Sequence, residues 1–355
     1  MLNAELKKRN LPELKSREEM KEIMQREVYG FLPQVDYDIS VSEPEFVEQR
    51  LMCGQVHHSY VNLTIIIGEK KHTFRVDRVL HTDEKKRPLI LLNNFHHFES
   101  QYFPKEELSE YDVDWLVFCY KDICSDDGDF SNGLAPLLLP NGQAAPTDCG
   151  KIGIWAWAAM RVLDYGLTLS GTDADNVAIA GHSRLGKTAL YTAMMDERFK
   201  FALSNAAGCA GDSLAHGSTG VLWKDGTPER GENIADIVMR FPFWFCKNYA
   251  KYTEKSISDE FDQHFLLAAI APRYVAVCSC SLDFWADVPS QQMCCVAASE
   301  QWEKDGLNGL VGCEKYLEAG ESMLDGHIGY FVIHSKHFLS RHSWKNFMRF
   351  IDIHK

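Results

Sequence analysis

The sequence lacks any long hydrophobic run. Its longest apolar stretches, such as 63–67 and 265–271, fall far short of the ~20 residues a membrane-spanning helix needs. Basic residues are in deficit, with 37 Lys and Arg against 50 Asp and Glu for a net charge of −13, and no Lys/Arg stripe stands out. Such a chain repels a phosphate backbone, which argues against nucleic-acid binding. Cysteine is plentiful, but its pattern is missing. The 11 cysteines are odd in number and scattered, with no CxxC pair and no metal-ligand spacing. That argues against a disulfide framework and predicts free, mostly buried thiols in a reducing compartment. Residues 1–10 are polar and carry no apolar signal core, so the expectation is a cytoplasmic protein, or a secreted one if a leader precedes this sequence. Internal repeats, low-complexity linkers and a clear domain boundary are also missing. With 45% apolar and 12% aromatic residues, disorder is excluded, and the expectation is one large domain over residues 1–355.

Residues 14–29 read as a helix, because Leu14, Met20, Ile23, Met24 and Val28 recur at helical spacing among charges. Residues 60–67 and 72–76 are strand-like and flank Gly68, which predicts an antiparallel hairpin. From residue 88 the rhythm changes. Residues 88–92, 115–118, 177–180, 201–203 and 274–277 are short, wholly apolar runs. Such runs suit central parallel strands covered on both faces. Helix-length segments lie between them, at 150–165 and from Leu185 onward, and residues 343–353 form a last helix. This βαβα order predicts a three-layer α/β sandwich with a doubly wound, mostly parallel sheet and an antiparallel N-terminal edge. Residues 212–260 hold Gly, His, Trp, Arg and Pro without a period, and are expected to form an inserted loop or cap over the sheet.

The sharpest motif is Gly181-His182-Ser183-Arg184-Leu185-Gly186. It approximates G-x-S-x-G with one extra residue before the second glycine. A buried strand runs into it and a small-residue helix leaves it, the setting in which a serine sits exposed on a tight turn. A serine that merely caps the helix has the same local pattern; strand and helix together favour a nucleophile. An activated serine needs a base and a group to orient that base. In α/β-hydrolases the chain order is Ser, Asp/Glu, His. Asp283 follows the apolar strand at 274–280, with Asp287 as runner-up. His337 lies in the loop after a last strand at 330–334, and His334 and His342 are weaker candidates for the base. A turn-forming Asp or a structural His is the bland alternative at each position.

Taken together, these residues resemble the glucuronoyl esterases of carbohydrate esterase family 15, especially its bacterial branch. The likeness spans most of the chain. It includes Glu27-Val28-Tyr29-Gly30-Phe31-Leu32-Pro33, Gly153-Ile154-Trp155-Ala156-Trp157, the elbow through Lys187-Thr188-Ala189-Leu190, Arg230-Gly231-Glu232, Phe241-Pro242-Phe243-Trp244-Phe245 and Asp283-Phe284-Trp285-Ala286-Asp287. The resemblance implies an α/β-hydrolase fold and cleavage of the ester between the 4-O-methyl-glucuronic acid of xylan and lignin alcohols, with no metal or organic cofactor. It implies Ser183 as nucleophile, His337 as base and Arg184 beside the oxyanion. Lys187 and Glu232 would hold sugar hydroxyls, and Trp285 would flank the sugar. Two departures matter. Ala206 stands where some members carry a glutamate as the triad acid, which leaves that work to Asp283. Ala207-Gly208-Cys209-Ala210-Gly211-Asp212 replaces the family's Ser-Gly-Cys-Gly-Gly, and the arginine pair that follows it is gone. That bears on substrate specificity more than on chemistry. An acetyl esterase of xylan-type oligosaccharides and a non-catalytic carbohydrate-binding relative are the rival readings.

Overall fold

The computed structural model describes residues 2–97, 100–217, 220–222 and 228–355. Two helices open the chain, α1 (Leu2–Lys8) and α2 (Arg17–Met24). The second starts at Ser16, whose side chain caps the Glu19 amide while the Glu19 carboxylate returns the bond to the Ser16 amide. The helix expected over 14–29 is therefore shorter. Its last turn widens into a π-helical segment, Gln25–Tyr29, that ends at Gly30. Gly30 has φ +86°, and a Cβ there would lie 2.3 Å from the Cys149 backbone. Only glycine fits both the conformation and the gap.

One eleven-stranded sheet follows. Its strands are β1 (Asp38–Val41), β2 (Glu45–Leu51), β3 (Val56–Ile67), β4 (Lys70–His81), β5 (Arg87–Asn94), β6 (Asp114–Cys119), β7 (Thr172–His182), β8 (Phe201–Asn205), β9 (Tyr274–Cys280), β10 (Ser322–Met323) and β11 (Ile328–Ile333). In space the order is β1-β3-β4-β6-β5-β7-β8-β9-β11-β10, with β2 paired to β3. The run from β6 through β11 is parallel, and β1 to β4 form an antiparallel edge. The hairpin read from the sequence is β3–β4, in unbroken register from Val56↔His81 to Ile67↔Lys70. Val61, Leu63 and Ile65 alternate inward, as expected of a strand covered on one face. The short β1, β2 and β10 carried no usable sequence signal.

The central strands bury both faces. Leu89 and Leu91 of β5 join one core cluster, with Trp155, Leu163 and Leu190 from helices α3 (Lys151–Gly166) and α4 (Arg184–Met195). Ile90 and Leu92 join the other, with Trp344, Phe347 and Ile351 from the C-terminal helix (Arg341–His354). Helices on both faces make the three-layer sandwich, and each fully buried aliphatic side chain contributes ~1.5–3 kcal/mol. Of the region expected as a cap, 212–260, residues 218–219 and 223–227 lie outside the described residues. The described part holds a two-stranded ribbon (Gly220–Leu222 with Pro228–Arg230), helix α5 (Ile234–Arg240) and short 3₁₀ turns at Pro242–Trp244 and Lys247–Tyr252. Helix α6 (Val288–Lys304) and the C-terminal helix, α7, complete the chain. Among the described residues no helix is long and apolar enough to cross a membrane.

Candidate active site

Four neighbouring parallel strands deliver the site at their carboxyl ends. In spatial order, β7 runs into Ser183, β8 into the 206–212 loop, β9 into Asp283 and β11 into the loop bearing His337. Carboxyl ends of parallel strands are where α/β sheets place ligands, because the chain must leave the sheet there and its loops converge.

Ser183 sits in a strained conformation, φ +58° and ψ −126°, which side chains other than hydrogen rarely tolerate. Its amide donates to the Asn205 carbonyl at 2.9 Å, and its carbonyl accepts from the Gly186 and Lys187 amides. The glycines make the turn possible. A Cβ on Gly181 would lie 2.0 Å from the Leu185 carbonyl oxygen, and one on Gly186 would press on Ala207 and Ser204 at 3.1 Å. The Arg184 amide opens helix α4 and has no carbonyl one turn back to bond.

His337 Nδ1 and Asp283 Oδ2 lie 2.5 Å apart. Backbone bonds hold the two loops together: Ser281 donates to the Ile333 carbonyl and Leu282 to the Ser335 carbonyl, each at 2.9 Å. Asp283 is buried, while the His337 side chain is 46% exposed at the cavity mouth. Asp287 does something else: its carboxylate caps helix α6 by accepting from the Ser290 amide at 3.2 Å. Asp212 also stays apart from His337. It is fully buried and accepts from Ser204 Oγ, the Gly208 amide and Gln291 Nε2, and burial raises its pKa. His334 faces Ser281 Oγ at 3.3 Å, and His342 opens the C-terminal helix in exposed surroundings.

Ser183, Arg184, Lys187, Glu232, Asp283, Trp285 and His337 all line one cavity of about 340 Å³. Lys187 rises from α4 one turn after Ser183 and is buried, its Nζ donating to the Ala207 carbonyl. Burial lowers its pKa, opposed by the negative charge of Glu232. Burial raises that of Glu232, which the Lys187 charge, the Trp285 indole and Arg240 partly offset. Arg240 Nη1 lies 3.6 Å from Glu232 Oε1. The Glu232 amide donates to the Trp285 carbonyl at 2.8 Å, which ties the returning segment to the β9 loop. Arg230 belongs to the same motif, but its side chain lies outside the described residues.

The part that several residues play at this site gave no readable sequence signal. Asp126, in a loop after β6, accepts from Arg184 Nη1, from Trp244 Nε1 at 2.7 Å and from Tyr120 Oη at 2.9 Å. The Arg184 guanidinium lies over the Trp244 ring at 4.5 Å, with Phe95 and Phe241 beside it. Its Nε is buried and has no protein hydrogen-bond partner among the described residues. His182 is buried against the His337 ring, centroids 4.5 Å apart, and its Nδ1 meets Asn205 Nδ2 at 2.9 Å. Burial, then the neighbouring His337, hold its pKa well below the ordinary imidazole value, so it stays neutral. A carboxylate among Ser125-Asp126-Asp127-Gly128-Asp129 looks like any polar loop residue; only folding reveals its three donors. Among the described residues, one set of side chains could converge on a metal ion, His97, Cys119 and Asp122, with ligand atoms within 4.8 Å of one another. None of the three lines the cavity.

This sheet order, with a serine elbow and a His–Asp pair at its carboxyl edge, defines an α/β-hydrolase. The family model described as "Glucuronyl esterase, fungi" matches residues 112–306, more than half of the chain, and the chain belongs to the glucuronyl esterase family. It is 32% identical over 237 residues to a carbohydrate esterase from an unknown prokaryotic organism, a match covering 65% of this chain and 52% of that one. It is 27% identical over 199 residues to a 4-O-methyl-glucuronoyl methylesterase of Podospora anserina, covering 54% and 39%. These matches span about half or less of the curated relatives' length. Among solved structures, the glucuronoyl esterase of Solibacter usitatus superposes with a TM-score of 0.83 at 26% identity, covering 96% of this chain and 92% of that one. A promiscuous CE15 esterase from a marine bacterial metagenome does so at 0.81 and 25%, covering 96% and 91%.

Proposed function

We propose that this chain is a serine esterase that hydrolyses glucuronoyl esters of the kind joining 4-O-methyl-glucuronate on xylan to lignin alcohols. The observation that carries the reading is one cavity lined by both halves of the chemistry. Ser183 and His337, with Asp283 behind it, supply acyl transfer; Lys187, Glu232 and Trp285 supply a polar, sugar-sized floor and wall.

Ser183 Oγ attacks the ester carbonyl carbon as its proton passes to His337 Nε2. Asp283 holds Nδ1–H and stabilises the imidazolium that forms. The carbonyl oxygen becomes an oxyanion beside the Arg184 amide at the helix start and the Arg184 side chain, which favour developing negative charge. Collapse breaks the bond to the alcohol oxygen, and His337 returns the proton to that leaving alcohol. Water, deprotonated by His337, then attacks the acyl-enzyme. The uronic acid leaves and Ser183 regains its proton. On the acyl side, Lys187 and Glu232 bring opposite charges to the same cavity wall, where their remaining hydrogen-bonding capacity suits sugar hydroxyls, and an exposed Trp285 offers a ring face to the pyranose.

The same Ser–His–Asp set would serve an acetyl esterase, but an acetyl group makes no use of the charged wall that Lys187 and Glu232 give the cavity. The test is hydrolysis of benzyl glucuronate against an acetyl ester of matched leaving group. The glucuronate should be turned over with much the higher kcat/KM. Preference for the acetyl ester would refute the uronate reading, and failure on both would refute esterase function.

A further inference from the structure

A second cavity, larger than the catalytic one, lies against the outer face of the C-terminal helix. It encloses about 720 Å³ between that helix and the β10–β11 edge of the sheet. The helix contributes His342, Lys345, Asn346 and Arg349, which fall on one face at i, i+3, i+4 and i+7. His334 at the end of β11 and Ser322 of β10 form the opposite wall, and Tyr111 closes one side.

Three observations make this more than a surface crevice. Lys345 and Arg349 are exposed and sit one turn apart, and like charges at that spacing repel. Neither makes an ion pair among the described residues, although the chain carries 13 more acidic than basic side chains. The carboxylate lining the cavity, Asp352, sits at the far end of the helix face and is bonded by Lys355 at 2.8 Å. The groove's own lining is thus net basic: of the carboxylates around Tyr111, Asp352 is bonded by Lys355 and Glu107 by Arg341, while Glu110 lines the adjoining cleft. Its upper end also adjoins the catalytic edge: His334 meets Ser281 Oγ at 3.3 Å, two residues before Asp283 and three before His337 in their respective loops.

We propose that this groove binds an acidic oligosaccharide, with Lys345 and Arg349 receiving a uronate carboxylate, Asn346 and Ser322 receiving hydroxyls, and Tyr111 offering an aromatic face. The proposal rests on the glucuronoyl-esterase reading for its ligand class: a glucuronoxylan chain carries free glucuronates besides the esterified one. Two cations one helical turn apart, about 6 Å along the axis, can close together on a uronate carboxylate. A nucleic acid is disfavoured, because the net charge of −13 opposes a continuous polyanion.

The test measures binding to the full chain by calorimetry, with the catalytic serine first blocked by a fluorophosphonate. The probes are a glucuronoxylan-derived oligosaccharide with free uronates, a neutral xylo-oligosaccharide of equal length, and a single-stranded oligonucleotide. The acidic sugar should bind and the neutral one should not. Lys345→Gln combined with Arg349→Gln should weaken binding about tenfold or more, the expected loss of two charge-assisted contacts, while kcat/KM for benzyl glucuronate stays within about twofold, because neither residue lines the catalytic cavity. Equal binding of neutral and acidic sugars, undiminished affinity in the double variant, or equal binding of the oligonucleotide would each overturn the proposal. Lack of benzyl glucuronate hydrolysis by the unaltered protein would refute the esterase reading instead, since binding in the groove is read separately.

Discussion

Asp126→Asn tests whether Arg184 works from a fixed position. In the native protein one Asp126 oxygen accepts from both Arg184 and Tyr120, and the other accepts from the Trp244 indole. Asparagine has one acceptor oxygen. Turned toward Arg184 and Tyr120, it points its NH₂ at the Trp244 N–H; turned the other way, it points NH₂ at a cation. Either way a donor is left facing a donor, and the Arg184 charge loses its counter-ion beneath three aromatic rings. Breaking a buried charge pair from one side costs ~3–5 kcal/mol. Here the Arg184 side chain is 24% exposed and Asp126 11%, so water relieves part of that, and ~2–3 kcal/mol of stability should be lost. The catalytic cost should be larger in proportion. In the proposed mechanism Arg184 stands beside the oxyanion, where a lost or displaced donor costs ~10²–10³ in kcat. The assay is a double-mutant cycle on benzyl glucuronate with Asp126→Asn, Arg184→Ala and the pair, alongside thermal unfolding. If Asp126 acts by holding Arg184, the pair should be little worse than Arg184→Ala, with a coupling of ~1–3 kcal/mol in the activation free energy. Additive effects, or an Asp126→Asn enzyme within twofold of the native kcat, would refute the reasoning.

Three further outcomes are expected. Ser183→Ala should lower kcat by ~10⁴ or more and abolish labelling by a fluorophosphonate probe, with an unchanged circular dichroism spectrum; a tenth of native turnover remaining would show that another residue is the nucleophile. Asp283→Asn should lower kcat by ~10²–10⁴ with a modest change in KM. Asp287→Asn should leave kcat nearly intact, because its side chain caps helix α6 and asparagine caps nearly as well; reversal of the two effects would identify Asp287 as the acid. Titration of the denatured, unreduced protein with a thiol reagent should find all 11 cysteines, each of them free in the structure, and four or more missing thiols would contradict that.

The central strands were legible because a parallel strand covered on both faces must be apolar throughout. Runs such as Leu89-Ile90-Leu91-Leu92 have few other uses. The β3–β4 hairpin was legible for the complementary reason: one covered face imposes a period of two. The strands missed, β1, β2 and β10, are edge elements with mostly exposed residues, so no burial pattern marks them. The helix read over 14–29 does run to Tyr29, its last turn π-helical and burying Val28 and Tyr29, and it differs only at its start, because Leu14 keeps the apolar spacing although Ser16 caps the helix.

At the site, the elbow declared itself locally. Ser183 needs Gly181 and Gly186 within a few residues, because a Cβ at either would meet the backbone or side chains that the turn brings close. Asp283 and His337 could be narrowed by strand order, since each lies just beyond the carboxyl end of an apolar strand. Their 2.5 Å separation across 54 residues comes instead from parallel pairing of β9 with β11 and the backbone bonds between their loops. Asp126, Trp244 and Tyr120 show the limit of the chain read alone. Three donors and one carboxylate from separate segments meet at Arg184 only after the sheet and the 241–245 segment have packed. Local propensity and periodicity depend on neighbours a few residues away, so they specified strands, helices and the elbow. Which carboxylate faces a histidine, and which faces an arginine or a helix end, depends on contacts between distant segments, and that was decided by tertiary packing.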